Sequence, residues 1–191
     1  MFPSLSWRVE TNKKEVFISF DDSPTPKLTY WILNILSSLK IKATFFCVGE
    51  SSKKYPEIIN EIQQKGHSIG NHSFSHKNGW FSSTNSYIEE IEKCSSVIPK
   101  TNLFRPPYGK IYPWQIREVK KKYKIIMWDV LSYDFKKDIR SNILQRNILD
   151  NIESGSIIVF HDNKKSEKIL KKNLEEILKK IREKGYSFSK L

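Results

Sequence analysis

Val16-Phe17-Ile18-Ser19-Phe20-Asp21-Asp22 is the stretch whose reading decides the fold. Its first five residues are a β-branched and aromatic run of strand length, closed by two adjacent carboxylates. Successive side chains on a strand point to opposite faces, so Asp21 and Asp22 should diverge at its mouth and take different tasks. One can bind a cation while the other stays free as a base. Taken alone, the pair also reads as the solvated opening of a turn, because Asp favours turns and Pro24 and Pro26 follow. The rest of the chain tips the balance toward chemistry.

Beyond this strand, apolar runs alternate with segments of helical period, the pattern of βαβ units and a parallel sheet. Leu28, Ile32, Ile35, Leu36 and Leu39 share one helical face within 28–40. Further strands are expected at 43–49, 67–73, 103–105, 124–130, 156–160 and 186–189. Helices are expected at 55–65, at 84–97 with Thr84 as N-cap, and at 114–122, 139–152 and 167–184. About seven parallel strands can form an open α/β sheet or a barrel. The 191 residues fall short of the ~250 of a full eight-unit barrel, so a barrel here would be incomplete. In either case the ligand site belongs at the C-terminal ends of the strands, where every polar group of interest sits.

The bulk numbers narrow the class. One domain over residues 1–191 is expected, and 38% hydrophobic with 13% aromatic residues excludes a disordered chain. The net charge of +12 is spread over pairs such as Lys171-Lys172 and Lys179-Lys180, which read as solvated helix faces. No recognition motif accompanies that charge, so nucleic acid is not an expected partner. Cys47 and Cys94 make no disulfide framework, and Cys47 reads as a small core residue. No apolar stretch approaches the ~20 residues of a membrane span. Met1–Arg8 lacks a basic region followed by an apolar core, so no secretory signal is expected and the protein reads as cytoplasmic, with action outside the cytoplasm left open. Nothing in the sequence signals an oligomeric state.

Three further stretches carry chemistry. In Asn71-His72-Ser73-Phe74-Ser75-His76, two imidazoles four apart meet one cation if the backbone turns helically after the strand. With Asp22 they make a two-histidine, one-carboxylate set that leaves positions open for water and substrate. Such ligation favours zinc, with iron, cobalt or nickel also fitting. His67, on the same strand, is expected to be structural, because an inward ligand at both 67 and 72 violates the two-residue period. In Arg105-Pro106-Pro107-Tyr108-Gly109, two prolines stiffen the loop, and the next available N–H is that of Tyr108, suited to an oxyanion contact. The same loop also reads as a stiff turn with Arg105 in a surface ion pair. Val159-Phe160-His161-Asp162 ends a strand with a histidine suited to a general acid, given an aspartate to orient it.

These stretches, with Trp128-Asp129-Val130-Leu131-Ser132-Tyr133-Asp134-Phe135 between the last two, resemble in order the motifs of the polysaccharide deacetylase family, which includes the nodulation chitooligosaccharide deacetylases. The resemblance runs from about Val16 to Leu191. It implies a distorted, incomplete (β/α) barrel and metal-dependent hydrolysis of N-acetyl groups on a glycan containing N-acetylglucosamine, of the peptidoglycan or chitooligosaccharide type. It also implies residue roles. Asp21 is the general base; Asp22, His72 and His76 hold the metal; Arg105 holds Asp21; Tyr108 offers its N–H; Asp134 tunes His161 as general acid. Phe135 stands where the family has tryptophan and Val159 where it has leucine, both on the wall that receives the acetyl methyl. Ser19 replaces a usual threonine, and Ser23 a common glycine. An O-acetyl esterase on the same scaffold and a non-catalytic carbohydrate-binding relic are the alternatives.

Overall fold

A computed structural model describes residues 5–191. The no-signal reading of Met1–Arg8 therefore falls in part on Met1–Ser4, outside the described residues. The strands are β1 (Glu15–Ser23), β2 (Thr44–Cys47), β3 (Ser68–Asn71), β4 (Leu103–Phe104), β5 (Lys124–Ile125), β6 (Val130–Leu131), β7 (Ile157–His161) and β8 (Ser187–Ser189). The helices are α1 (Leu28–Ser38), α2 (Gly49–Lys54), α3 (Pro56–Gln64), α4 (Thr84–Ser95), α5 (Pro113–Val119), α6 (Ser141–Leu149) and α7 (Glu167–Glu183).

All strand pairs are parallel, in the order β5-β4-β3-β2-β1-β7-β6, with β8 against the first half of β1. The two edge strands, β5 and β6, are separated by only residues 126–129. Such a segment spans no more than about 3.6 Å per residue, so the two edges of the sheet must curl toward each other. The fold is the curled, incomplete barrel that the sequence suggests.

The expected strand over 124–130 is thereby corrected. Its two ends pair on opposite edges, β5 with β4 and β6 with β7, and its middle crosses the gap. Ile125, Ile126 and Met127 are buried, and a continuous apolar run does not distinguish a strand from a buried crossing. The crossing satisfies its backbone elsewhere: Met127 N donates to Ser6 O (2.8 Å), and Ser6 N to Ile125 O (3.0 Å).

Other boundaries shift for local reasons. Ser83, not Thr84, caps α4, accepting from Ser86 N at 3.3 Å. The strand expected to reach Gly49 stops at Cys47, and Gly49 opens α2 instead. A Cβ on Gly49 would lie 2.4 Å from the Phe74 ring, so no larger residue fits there. Pro56 sits at the first turn of α3, as expected.

Among the described residues the core falls into three clusters, the largest of which joins β1, β2 and β7 to α1, α3, α6 and α7. Phe20 stacks on Phe45 (ring centroids 5.1 Å) and on Phe160 (5.7 Å), tying three adjacent strands. Helix α7 buries Leu170, Leu174, Ile177, Leu178 and Ile181 along one stripe. Its opposite face pairs Lys171 with Glu167 (2.6 Å) and Lys179 with Glu175 (2.7 Å), ordinary i,i+4 surface pairs. Cys47 and Cys94 are buried free thiols. His67 lies at the opposite end of β3 from His72, its Nδ1 accepting from Ala43 N–H at 3.1 Å, a packing role as expected. No helix among the described residues is long and apolar enough to cross a membrane.

Candidate active site

Strand β1 ends in a bulge at the two aspartates. Asp21 still pairs in register with His161 of β7, whereas the pairing with β2 slips between Phe20 and Ser23. Asp22 sits in the slip with φ 68°, and the extra residue brings its carboxylate to the same side as that of Asp21: Asp22 Oδ1 lies 3.7 Å and Asp21 Oδ2 3.9 Å from one atom, His72 Nε2. The divergence expected from strand alternation is thereby corrected: the bulge lets both carboxylates enter one cleft, and they differ in their partners, Arg105 for Asp21 and His76 for Asp22. His76 (φ 56°) and Tyr108 (φ 60°), which line the same opening, share this left-handed backbone. Each such residue costs about 1–3 kcal/mol, and clusters of them mark functional rims.

Asp22, His72 and His76 converge so that one ligand atom from each lies within 4.8 Å of the others. Asp22 Oδ1 is 3.1 Å from His76 Nε2 and 3.7 Å from His72 Nε2. That buried oxygen nevertheless has no hydrogen-bond partner. Nδ1 of His72 lies 2.8 Å from the Arg105 carbonyl, so it carries the proton and leaves the Nε2 lone pair facing Asp22. A buried carboxylate oxygen and imidazole nitrogens gathered at one point fit a divalent cation. Burial lowers the pKa of His72 to about 4, keeping the ring neutral, as a ligand must be. Burial alone would raise the Asp22 carboxyl, but the His76 contact and the charges of His72, His76 and His161 hold it well below its usual range.

Asp21 stays outside this set. Its Oδ1 accepts from Arg105 Nη1 at 2.7 Å, and its Oδ2 lies 3.9 Å from His72 Nε2. Arg105 is fully buried, so the surface ion pair is ruled out. Its guanidinium also donates to Ser19 Oγ (2.8 Å), Ile126 O (3.2 Å) and Met127 O (3.0 Å), and its charge lies 4.0 Å over the Phe46 ring. It thus supplies hydrogen bonds to the chain that crosses the open side of the barrel. Burial lowers the Arg105 pKa from its usual value, against the opposing charge of Asp21.

His161 faces the pair from β7. Its Nδ1 lies 2.7 Å from Asp134 Oδ1, and its backbone N–H donates to Asp134 Oδ2, also at 2.7 Å. Burial works against the charged ring, but the Asp134 bond and the charges of Asp134, Asp21 and Asp22 raise its pKa above the ordinary value. Tyr108 lies in a tight turn closed by Gly109 N to Pro106 O (2.9 Å) and Lys110 N to Pro107 O (3.1 Å), bonds that leave its own N–H aside. The Tyr108 ring meets His76 edge-on at 4.6 Å.

A cleft of about 760 Å³ joins these groups: Asp21, Asp22, His72, His76, Tyr108 and His161 all line it. Arg105 and Asp134 sit fully buried behind their carboxylate and imidazole. Phe135 and Val159 line the cleft together with Trp128 and Leu131, two residues of the Trp128–Phe135 stretch to which the resemblance assigns no role.

Asn163 was also missed. Its Nδ2 donates to Asp22 Oδ2 at 2.7 Å, while its Oδ1 accepts from Lys165 N (2.9 Å) and Ser166 N (3.1 Å). The signal was an Asn just before a helical run, an Asx-turn residue that also reaches a ligand. Asp162, behind it, accepts from Thr29 Oγ1 (2.5 Å), and burial pushes it up to about 7.

Comparison with known proteins agrees with this geometry. The family model described as polysaccharide deacetylase matches residues 8–128. A peptidoglycan-N-acetylglucosamine deacetylase of Bacillus cereus is 35% identical over 156 residues, covering 78% of this chain, and the chain spans 56% of that relative's length. A chitooligosaccharide deacetylase of Azorhizobium caulinodans is 35% identical over 163 residues, covering 81% of this chain and 77% of the relative. A crystal structure of a peptidoglycan N-acetylglucosamine deacetylase superposes with TM-score 0.92 at 30% identity, covering 98% of this chain and 91% of that one. The five motifs, the curled barrel and these matches together place the chain in the polysaccharide deacetylase family.

Proposed function

We propose that the protein hydrolyses N-acetyl groups on a glycan built from N-acetylglucosamine, of the peptidoglycan or chitooligosaccharide type. The observation that carries this reading is the orphaned Asp22 Oδ1 between two imidazoles, beside an Asp21 held separately by Arg105. Asp22, His72 and His76 would hold a divalent ion, which we assign as zinc from the donor set. Such an ion supplies Lewis acidity to the acyl oxygen and lowers the pKa of water.

The chain's own groups supply the rest. Asp21 takes the proton from attacking water at the oxygen not held by Arg105. The Tyr108 N–H donates to the oxyanion as it develops, a contact whose loss typically costs ~10²–10³ in rate. His161, whose charged form the Asp134 bond favours, gives a proton to the departing amine. Trp128, Leu131, Phe135 and Val159 receive the acetyl methyl and limit water at the reacting carbon. Acetate and a free amine leave.

The test is acetate release by zinc-supplemented protein from N-acetylated chitooligosaccharide, peptidoglycan and acetylated xylan. Release with new free amines from either of the first two is expected. Release from acetylated xylan alone would replace this reading with an O-acetyl esterase.

A further inference from the structure

Single exposed apolar residues need no explanation, but a contiguous exposed patch does. Tyr30 and Ile143 are of the first kind, on separate helices. Trp80 (48% exposed), Phe81 (84%) and Trp114 (57%) are of the second. Tyr112 lies between the two indoles: its ring stacks on Trp114 with centroids 4.4 Å apart at 15°, and on Trp80 at 6.3 Å and 29°. Phe81 adjoins Trp80 in the same tight turn, Gly79–Phe81.

This ladder is built on a rigid base. Gln115 is fully buried and joins the two loops that carry the rings. Its Nε2 donates to Gly79 O (2.9 Å) and Ser82 O (3.1 Å), and its Oε1 accepts from Tyr112 N (2.9 Å). The loops are pressed together so closely that a Cβ on Gly79 would lie 2.4 Å from Lys110 O. Asn78 fixes the first loop by accepting from Trp80 N at 3.0 Å. Burying a hydrogen-bonded glutamine to hold tryptophans out in water makes sense when the rings must be presented in advance to a ligand.

Both loops grow directly out of the cleft. One begins four residues before Trp80, at His76, and the other four residues before Tyr112, at Tyr108. Four residues of chain reach at most about 14 Å, so the ladder lies within a few sugar units of the Tyr108–His76 contact. A pyranose presents an apolar face of C–H groups with hydroxyls around its rim. A flat ring with a polar tip, such as indole or phenol, matches both parts.

We propose that Trp80, Phe81 and Trp114, with Tyr112 wedged between the two indoles as their support, form a distal glycan-binding shelf, which stacks on sugar residues flanking the one whose acetamide enters the cleft. The placement of the acetamide rests on the deacetylase reading; the shelf itself rests on its own geometry. The protein would accordingly favour a polymer or long oligosaccharide over short fragments.

The experiment is a rapid-mixing tryptophan-fluorescence titration, read before turnover, with the β-1,4-linked N-acetylglucosamine hexamer and disaccharide. It compares the zinc-supplemented wild type with Trp114→Ala and Phe81→Ala, checked for native circular dichroism. Each variant should weaken hexamer binding about tenfold, as expected for one lost stacking contact, with the loss confined to the hexamer. Unchanged hexamer affinity in natively folded variants overturns the shelf. So does a dimer in sedimentation equilibrium that the same variants dissociate, since a second copy would then cover these rings. Acetate release from the disaccharide is followed in parallel. If acetate appears and hexamer affinity does not move, the shelf alone fails; if the variants weaken the hexamer and no glycan is deacetylated, the deacetylase reading alone fails.

Discussion

Arg105 and Asp21 form a buried ion pair across the barrel, Nη1 to Oδ1 at 2.7 Å, with the arginine fully enclosed and the aspartate 4% exposed. The same guanidinium hydrogen-bonds the carbonyls of Ile126 and Met127, so one side chain both positions the base and holds the crossing chain. Removing one partner of such a pair leaves an uncompensated charge, which typically costs about 3–5 kcal/mol. Arg105→Met should therefore lose about that much stability in urea unfolding. Arg105→Lys should rescue little of it, because an ammonium cannot reach both carbonyls and Asp21 in one plane. Near-native stability in Arg105→Met would show that the pair is dispensable to the fold.

His161 supplies a pH prediction. Asp134 raises its pKa, so the ring stays protonated further up the pH scale than a free histidine. A general acid must hold its proton, so activity should fall as pH rises through this raised value. Asp134→Asn removes the charge and should move the basic limb of kcat/KM to lower pH, with the acidic limb unmoved. A basic limb that stays in place in Asp134→Asn would remove His161 from the proton-donor role.

The motif residues were legible because each sits at a strand end, where backbone direction and sequence spacing fix what can meet. Asp21, His72 and His161 needed only strand order to be brought together, whereas Asp22 joins them through the bulge that follows Phe20. The apolar run Lys124 to Val130 was not legible as two edge pieces, since its burial comes from crossing a gap that only the curled sheet creates. Asn163 was hidden for a related reason. Its partner Asp22 lies 141 positions away, and no local pattern announces that contact. Likewise Arg105, read locally as a choice between surface and site, was settled by packing against Phe46 and the crossing chain.

Asn163 should matter to metal binding. It donates to the Asp22 oxygen that is not aimed at the imidazoles, and so fixes the carboxylate's orientation. Loss of such a supporting bond typically weakens metal affinity 10–100-fold. Calorimetric zinc titration of Asn163→Ala should show a weakening on the order of tenfold or more. Wild-type affinity in that variant would mean that Asp22 is positioned by the bulge alone.

Gly109 tests the Tyr108 amide. It has φ 66°, and a Cβ there would lie 2.7 Å from the Trp128 ring. Gly109→Ala should push the turn and Trp128 apart and misplace the preceding N–H. Removal of one oxyanion donor typically costs ~10²–10³ in kcat, so a loss of that order with zinc affinity retained is expected. A kcat within twofold of wild type would argue that this amide does not touch the oxyanion.

Metal dependence of acetate release is the most direct measurement of the central claim. Protein stripped by chelator and dialysed should release no acetate from an N-acetylated chitooligosaccharide, and about one equivalent of zinc or cobalt per chain should restore release. Replacing His72 or His76 by alanine should abolish that restoration. Undiminished acetate release from protein shown to be metal-free would contradict the account.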